Sequence, residues 1–235
     1  MRIVRLTQET KKNILENLLK RSPNQYREYS ERVEEILNEV RERGDAAVFA
    51  FTKEYDKAEL TKETVRVTPE EIAEAYKRLP ERTIEVIRKA IVNIRSYHEK
   101  QRRNSWFDAQ PDGTILGQKI TPIASVGVYV PGGKAAYPSS VLMNVIPARV
   151  AGVERIVMVT PPGADGRVYE GTLVAAKEAG VTEIYKVGGA QAIGALAYGT
   201  GSIPKVDKIV GPGNIYVALA KKAVYGHVSI DSVAG

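Results

Sequence analysis

The sequence contains no cysteine and only two histidines. Without cysteine the chain has neither disulfides nor thiolate metal sites, and such a composition is typical of a reducing compartment. His98 and His227 fall in neither a metal-ligand nor a catalytic-triad spacing, whereas a catalytic zinc typically takes about three protein ligands. We therefore interpret both histidines as structural.

Long apolar runs are also missing. No segment approaches the roughly 18–20 apolar residues that a membrane span needs. The N-terminus, Met1-Arg2-Ile3-Val4-Arg5-Leu6, lacks the apolar centre of a secretory signal. Together these absences predict a cytoplasmic protein with no membrane association.

The charge pattern is not that of a nucleic-acid-binding protein. Lysine and arginine outnumber aspartate and glutamate by 34 to 28, which gives a net charge of +6, but both signs are mixed along the whole chain. No nucleic-acid-binding motif is present, and aromatic residues do not interleave with the basic ones. We predict that the chain has no nucleic-acid partner.

The first 104 residues are mostly charged and show helical periodicity. Residues 1–22 are expected to form a helical arm, which ends near Ser22-Pro23-Asn24 and packs either on a partner subunit or on its own domain. Residues 64–67 predict a short strand. Thr68-Pro69-Glu70-Glu71 is typical of a helix start with a capping box, and Pro111-Asp112-Gly113 predicts a turn.

From residue 126 onwards the chain alternates between strands and helices. Val126, Val128 and Val130 predict a strand, which a glycine loop and an apolar helix follow. Four more strand candidates, at residues 155–160, 183–187, 208–210 and 228–230, are separated by helices that end at glycine. This alternation predicts an α/β fold with a doubly wound parallel sheet behind a helical N-terminal region.

Three strand-to-helix loops are rich in glycine: Pro131-Gly132-Gly133, Gly188-Gly189-Ala190-Gln191 and Gly211-Pro212-Gly213-Asn214. In a parallel sheet such loops share the carboxyl edge, where ligands bind, and the helix N-termini beside them favour anions. None is the dinucleotide fingerprint, because Tyr216 stands where its third glycine belongs. The pattern predicts a ligand-binding edge that would hold any nucleotide in a non-standard way.

Three side chains at these loops are candidate ligand contacts. The amides of Gln191 and Asn214 start helices behind glycines, so they either bind a ligand or cap the helix, and capping suits asparagine better than glutamine. Tyr129 ends a strand, so it either contacts a ligand or packs half-buried. Residue type alone leaves both alternatives open for each residue.

The chain resembles the histidinol dehydrogenase family over essentially its whole length. The segments that carry the resemblance are VGVYVPGGKAAYPSSVLMNVIPARVAGV, VGGAQAIGALAYGT, VDKIVGPGN and VSIDSVAG, with VEEILNEVRERGDAAVFAFTKEYD and NIRSYHEKQ in the N-terminal half. The resemblance implies a zinc-dependent homodimer that oxidises L-histidinol to L-histidine in histidine biosynthesis, by two hydride transfers to NAD through an enzyme-held aldehyde. It also implies that Tyr129, Gln191 and Asn214 contact NAD.

The resemblance covers only the N-terminal part of the family's chain. The family's zinc ligands and its proton-handling Glu–His pair lie in a second half, so we expect no catalytic or metal-binding residue, and no dehydrogenase activity, in these 235 residues alone. The expected domains are the arm at 1–22, a helix-rich first part of a Rossmann-like domain at 23–124 that the chain end leaves incomplete, and a second, NAD-binding Rossmann-like domain at 125–235. The alternative is a non-catalytic nucleotide-binding or assembly module that works with a separate C-terminal chain.

Overall fold

The computed structural model describes residues 7, 8, 10–12, 26–132 and 137–233 of the chain, so most of the expected arm at 1–22 lies outside the described residues. The elements of the described part are, in chain order, α1 (Arg27–Arg43), α2 (Asp45–Asp56), α3 (Pro69–Arg78), α4 (Glu81–Glu99), β1 (Trp106–Ala109), β2 (Ile115–Gln118), β3 (Ser125–Tyr129), α5 (Pro138–Val150), β4 (Arg155–Val159), α6 (Glu170–Ala179), β5 (Glu183–Tyr185), α7 (Gly189–Tyr198), β6 (Lys208–Val210), α8 (Ile215–Val224) and β7 (Ser229–Ile230).

Among the described residues, five parallel strands form the central sheet in the order β5-β4-β3-β6-β7. Within this sheet the chain first forms the central strand β3 and continues outwards through β4 to β5. It then crosses to β6 on the other side of β3 and continues to β7. The direction of winding therefore reverses between β3 and β6, and such a reversal opens a crevice at the carboxyl ends of the strands. The predicted α/β fold with a doubly wound parallel sheet is confirmed.

Helices cover both faces of the sheet. Because side chains alternate along a strand, Val128 and Met158 enter one hydrophobic core, whereas Tyr129 and Val159 enter the other. The first core is closed by α3, α4, α5 and α6, and the second by α1, α2, α7 and α8. The helices before residue 125 thus share both cores with the strands after it, and the expected division into domains at 124/125 stays a prediction.

The helices follow their sequence signals closely. The capping box of α3 is confirmed: the Thr68 hydroxyl accepts the Glu71 N–H at 3.3 Å, and the Glu71 carboxylate accepts the Thr68 N–H at 2.9 Å. Pro147 lies inside α5 without ending it. In the described part of the chain no helix combines the length and the apolar character that crossing a membrane requires.

The strand expected at residues 64–67 is wrong. Arg66 forms a single antiparallel bridge with Tyr185 at the edge of the sheet, and pairing stops there because the N-cap of α3 follows at Thr68. The turn-rich stretch before β3 is an antiparallel hairpin of β1 and β2. Its turn at residues 111–113 is confirmed, and the Asp112 carboxylate accepts the Thr114 N–H at 2.9 Å.

Candidate functional site

A cavity of about 900 Å³ lies at the carboxyl edge of the sheet, where the winding reverses. It is lined by the loops after β3, β4, β5 and β6 and by residues of α1 and the end of α2. Pockets for drug-sized ligands typically measure about 300–1,000 Å³. The structure brings Tyr129, Gln191 and Asn214 together in its wall, as the three glycine loops predict.

Tyr129, the last residue of β3, is 4% exposed. Its hydroxyl accepts the N–H of Gly189 at 3.2 Å, which joins β3 to the start of α7. Burial raises the pKa of this phenol to about 12, so the group remains protonated at neutral pH. The hydroxyl hydrogen can be donated to a ligand, and packing and ligand contact are therefore compatible for this residue.

Gln191 lies in the first turn of α7 and is 1% exposed. Neither its Oε1 nor its Nε2 atom has a hydrogen-bond partner among the described residues, and α7 has no side-chain cap. The capping alternative is therefore wrong for Gln191. An unpartnered buried amide costs about 1–3 kcal/mol, and buried polar groups without partners are rare enough to need an explanation. A ligand in the cavity is such an explanation.

Asn214 is the N-cap of α8, because its Oδ1 atom accepts the N–H of Val217 at 3.2 Å. The capping alternative is confirmed here, yet it uses only the carbonyl oxygen of the side chain. The NH₂ group, which carries two donor hydrogens, is left for a ligand in the cavity that Asn214 lines.

The glycine loop after β6 is anchored by a partly buried ion pair. Lys221 of α8 is fully buried, and its ammonium group donates to the Gly211 carbonyl at 3.0 Å and pairs with Asp231. The other oxygen of Asp231 accepts the Gly211 N–H at 2.9 Å. Gly211 has φ of +113°, and a Cβ atom there would collide with the Tyr129 carbonyl oxygen. The pair fixes this loop against the end of β3.

Three charged side chains of the cavity wall, those of Arg32, Glu54 and Asp56, were not predicted from the sequence. Asp56 ends α2, and burial raises its pKa to about 6. Arg32 of α1 donates to the Tyr55 hydroxyl at 2.6 Å, to Glu35 at 2.6 Å and to Glu54 at 3.2 Å. All three lie in charged helical segments, where the sequence pattern predicts a solvated surface.

A zinc ion does not fit the residues that the structure describes. No group of three or more histidine, cysteine, aspartate or glutamate side chains there is arranged to hold a metal. The His98 Nδ1 atom pairs with the Gln101 side chain at 2.6 Å, and His227 packs edge-on against Tyr198. The structural role of both histidines stays a prediction.

Comparison with known proteins identifies the family. A model of the family described as histidinol dehydrogenase matches residues 19–235. The chain belongs to the histidinol dehydrogenase family. This confirms the sequence resemblance, and it places the chain in a family of oxidoreductases.

Individual histidinol dehydrogenases agree with this assignment. The protein from Halalkalibacterium halodurans is 63% identical over 203 residues, which cover 86% of this chain and 47% of the relative. The protein from Caldanaerobacter subterraneus is 55% identical over 227 residues, or 97% of this chain and 52% of the relative. A crystal structure of histidinol dehydrogenase from Elizabethkingia anophelis matches with a TM-score of 0.83 at 38% identity, covering 87% of this chain and 47% of that one. The chain thus spans about half the length of the curated relatives it matches.

Proposed function

We propose that these 235 residues form the dinucleotide-binding part of a zinc-dependent, NAD-linked histidinol dehydrogenase, which oxidises L-histidinol to L-histidine in histidine biosynthesis. Gln191 carries the proposal, because its amide is buried in the cavity wall at a helix N-terminus and has no partner among the described residues. A dinucleotide offers hydrogen-bond donors and acceptors for both polar atoms of such an amide.

The donors around the cavity fit an anionic dinucleotide. Helices α7 and α8 both begin at the cavity wall, where Gly189 and Asn214 lie. The free N–H groups and positive potential of these helix N-termini favour a pyrophosphate. Tyr129 and Asn214 add one hydroxyl and one amide donor. When bound, NAD supplies the hydride acceptor.

The remaining chemistry is proposed to come from the half of the relatives that this chain does not span. That half would provide the zinc ligands and the proton-handling pair, in a cytoplasmic homodimer. We therefore expect no histidinol-dependent NADH formation from the 235 residues alone, even with zinc added. NADH formation above a protein-free control would contradict this division of labour.

Titration calorimetry with NAD tests the binding proposal directly. The 235-residue chain should bind NAD and gain thermal stability from it, since a ligand of the folded state raises the Tm. Gln191→Ala should remove both effects and change the Tm of the unliganded protein little, because the amide that it deletes makes no hydrogen bond to the described residues. Gln118→Ala, at an exposed position of β2, is the matched control. Equal NAD affinity of the wild type and Gln191→Ala would refute the role of Gln191.

Asn214 allows its two roles to be separated. Asn214→Ser retains an N-cap oxygen but lacks the amide donor, so it should weaken NAD binding and leave the Tm within a few degrees. Asn214→Ala should lose both the cap and the NAD contact. If Asn214→Ser binds NAD like the wild type, Asn214 acts only as a helix cap.

A further inference from the structure

Asp56 is the other side chain of the cavity wall with an unexplained polar atom. Its Oδ2 atom is buried and has no hydrogen-bond partner among the described residues. The other oxygen makes no hydrogen bond to them either. Rotation about the last side-chain bond exchanges the two oxygens, because that torsion is broad in aspartate, so either oxygen can face the cavity.

Among the described residues, no hydrogen bond or ion pair stabilises the Asp56 carboxylate. It is the last residue of α2, and the C-terminus of a helix disfavours negative charge. Burial raises its pKa to about 6, so at neutral pH the side chain is ionised in a place that solvates it poorly. An ionised, poorly solvated carboxylate without partners lowers the stability of the unliganded fold, and a donor from a ligand would offset that cost.

The surroundings of Asp56 suit the adenosine end of a dinucleotide. Ile36, Tyr55 and Tyr216 line the same cavity and offer apolar and aromatic surface for a flat base. Asp56 and Tyr129, whose hydroxyl joins β3 to α7, line the same cavity, and after burial the charge of Asp56 contributes to raising the pKa of Tyr129. Asp56 thus shares the cavity wall with both the aromatic surface and the helix N-termini, and a ribose that follows the base on this wall would come beside it.

The local charges oppose an additional phosphate. Arg32 is the one cation among the described residues of the cavity wall, and Glu35, Glu54 and the Tyr55 hydroxyl already accept its hydrogen bonds. A 2′-phosphate beside Asp56 would meet a carboxylate without a free guanidinium to compensate it. A 2′-hydroxyl would instead donate a hydrogen bond to the same carboxylate.

We infer that Asp56 accepts a hydrogen bond from the adenosine ribose of the bound dinucleotide and thereby makes the site selective for NAD over NADP. The inference rests on the proposed function of the cavity. It adds a specificity-determining residue from α2, an element that lies far in sequence from the three glycine loops.

The test is calorimetric titration of the 235-residue chain with NAD and with NADP. The variants are Asp56→Asn, Asp56→Ala, Gln191→Ala and the control Glu59→Gln, which removes an exposed carboxylate that does not line the cavity. Both Asp56 variants should bind NAD about tenfold more weakly than the wild type, and their preference for NAD over NADP should fall by a similar factor. Glu59→Gln should bind both like the wild type.

Thermal unfolding without ligand separates a binding role from a structural one. If Asp56 serves the ligand, both Asp56 variants should melt at or above the wild-type Tm. A Tm lowered in both variants would make Asp56 structural and overturn the inference. So would weaker binding of NAD and NADP in equal measure, since the preference would then lie elsewhere.

The two proposals fail in different ways. If Asp56→Asn and Asp56→Ala bind NAD within twofold of the wild type while Gln191→Ala does not bind it, the role of Asp56 is refuted and the proposed function stands. If the wild-type chain binds neither dinucleotide, both proposals are refuted.

Discussion

Replacing Lys221 by methionine tests how strongly the partly buried ion pair holds the loop after β6. Methionine keeps most of the apolar volume of the lysine stem but cannot donate to the Gly211 carbonyl or pair with Asp231. A hydrogen bond to a charged group contributes about 1.5–3 kcal/mol, and leaving one member of a buried pair alone costs about 3–5 kcal/mol. Because the Asp231 side chain is 32% exposed, water compensates part of that loss. We expect the free energy of unfolding to fall by about 2–3 kcal/mol.

Urea unfolding followed by circular dichroism measures this change as a lower midpoint at an unchanged m-value. For a chain of this size the Tm should fall by about 5–10 °C. NAD affinity should fall as well, because the loop that leads to Asn214 loses its anchor. High salt should change this loss of stability little, because the Lys221 ammonium group is fully buried and buried charges are poorly screened.

A double-mutant cycle with Asp231→Asn decides whether the pair is responsible. Lys221→Met/Asp231→Asn leaves no unpaired charge, so its destabilisation should be smaller than the sum of the two single effects by at least about 1 kcal/mol. Additive effects, or a Lys221→Met protein within about 0.5 kcal/mol of the wild type, would refute the anchoring role.

Three further predictions concern single positions, and urea unfolding checks each of them. Gly211→Ala should lower the free energy of unfolding by about 2–3 kcal/mol, because alanine adds a collision with the Tyr129 carbonyl to the strain of positive φ. Gly226 also has positive φ, +106°, but open space around it, so Gly226→Ala should lower the free energy of unfolding by less. Thr68→Ala should lower it by about 1 kcal/mol through the lost cap of α3, whereas Thr68→Ser should retain it. The third prediction concerns the pH dependence of stability without ligand. The pKa of Asp56 is about 6 in the folded protein and 3.8 in the unfolded chain, so the folded state binds this proton more tightly and loses stability as the pH rises from 4 to 7. After allowance for the partial exposure of the side chain, the loss in free energy of unfolding should be about 1 kcal/mol. The difference between the wild type and Asp56→Asn should isolate this effect from other carboxylates, and a pH-independent difference would contradict it.

Local signals made the outline of the fold predictable. The alternation at Val126, Val128 and Val130 marks a strand whose side chains enter a core, and Thr68 with Glu71 marks the start of α3; both are confirmed. The three glycine loops predicted a common edge because the carboxyl ends of parallel strands meet there. Each of these inferences needs only residues that lie close together in the sequence.

The contributions of distant elements were not predictable in the same way. Lys221 lies on a helix whose sequence predicts a solvated cation, but the side chain is fully buried, where it contacts the loop after β6 and Asp231. Asp56 ends a charged helix, and its burial depends on α2 packing beside the carboxyl edge of a sheet that begins about seventy residues later. Hydrophobic periodicity cannot predict where distant elements pack against each other, since it describes one element at a time.

The three predicted site residues are not equally informative about a ligand. The Tyr129 hydroxyl already accepts a hydrogen bond from Gly189, and the Asn214 oxygen already caps α8, so the fold alone would explain both side chains. Gln191 has no such explanation, because both of its polar atoms are buried and make no hydrogen bond to the described residues. A neutral amide of this kind lowers the stability of the unliganded protein and gains its partners only when something fills the cavity. Loss of NAD binding in Gln191→Ala, at undiminished unliganded stability, is therefore the result that a purely structural account of this edge cannot produce.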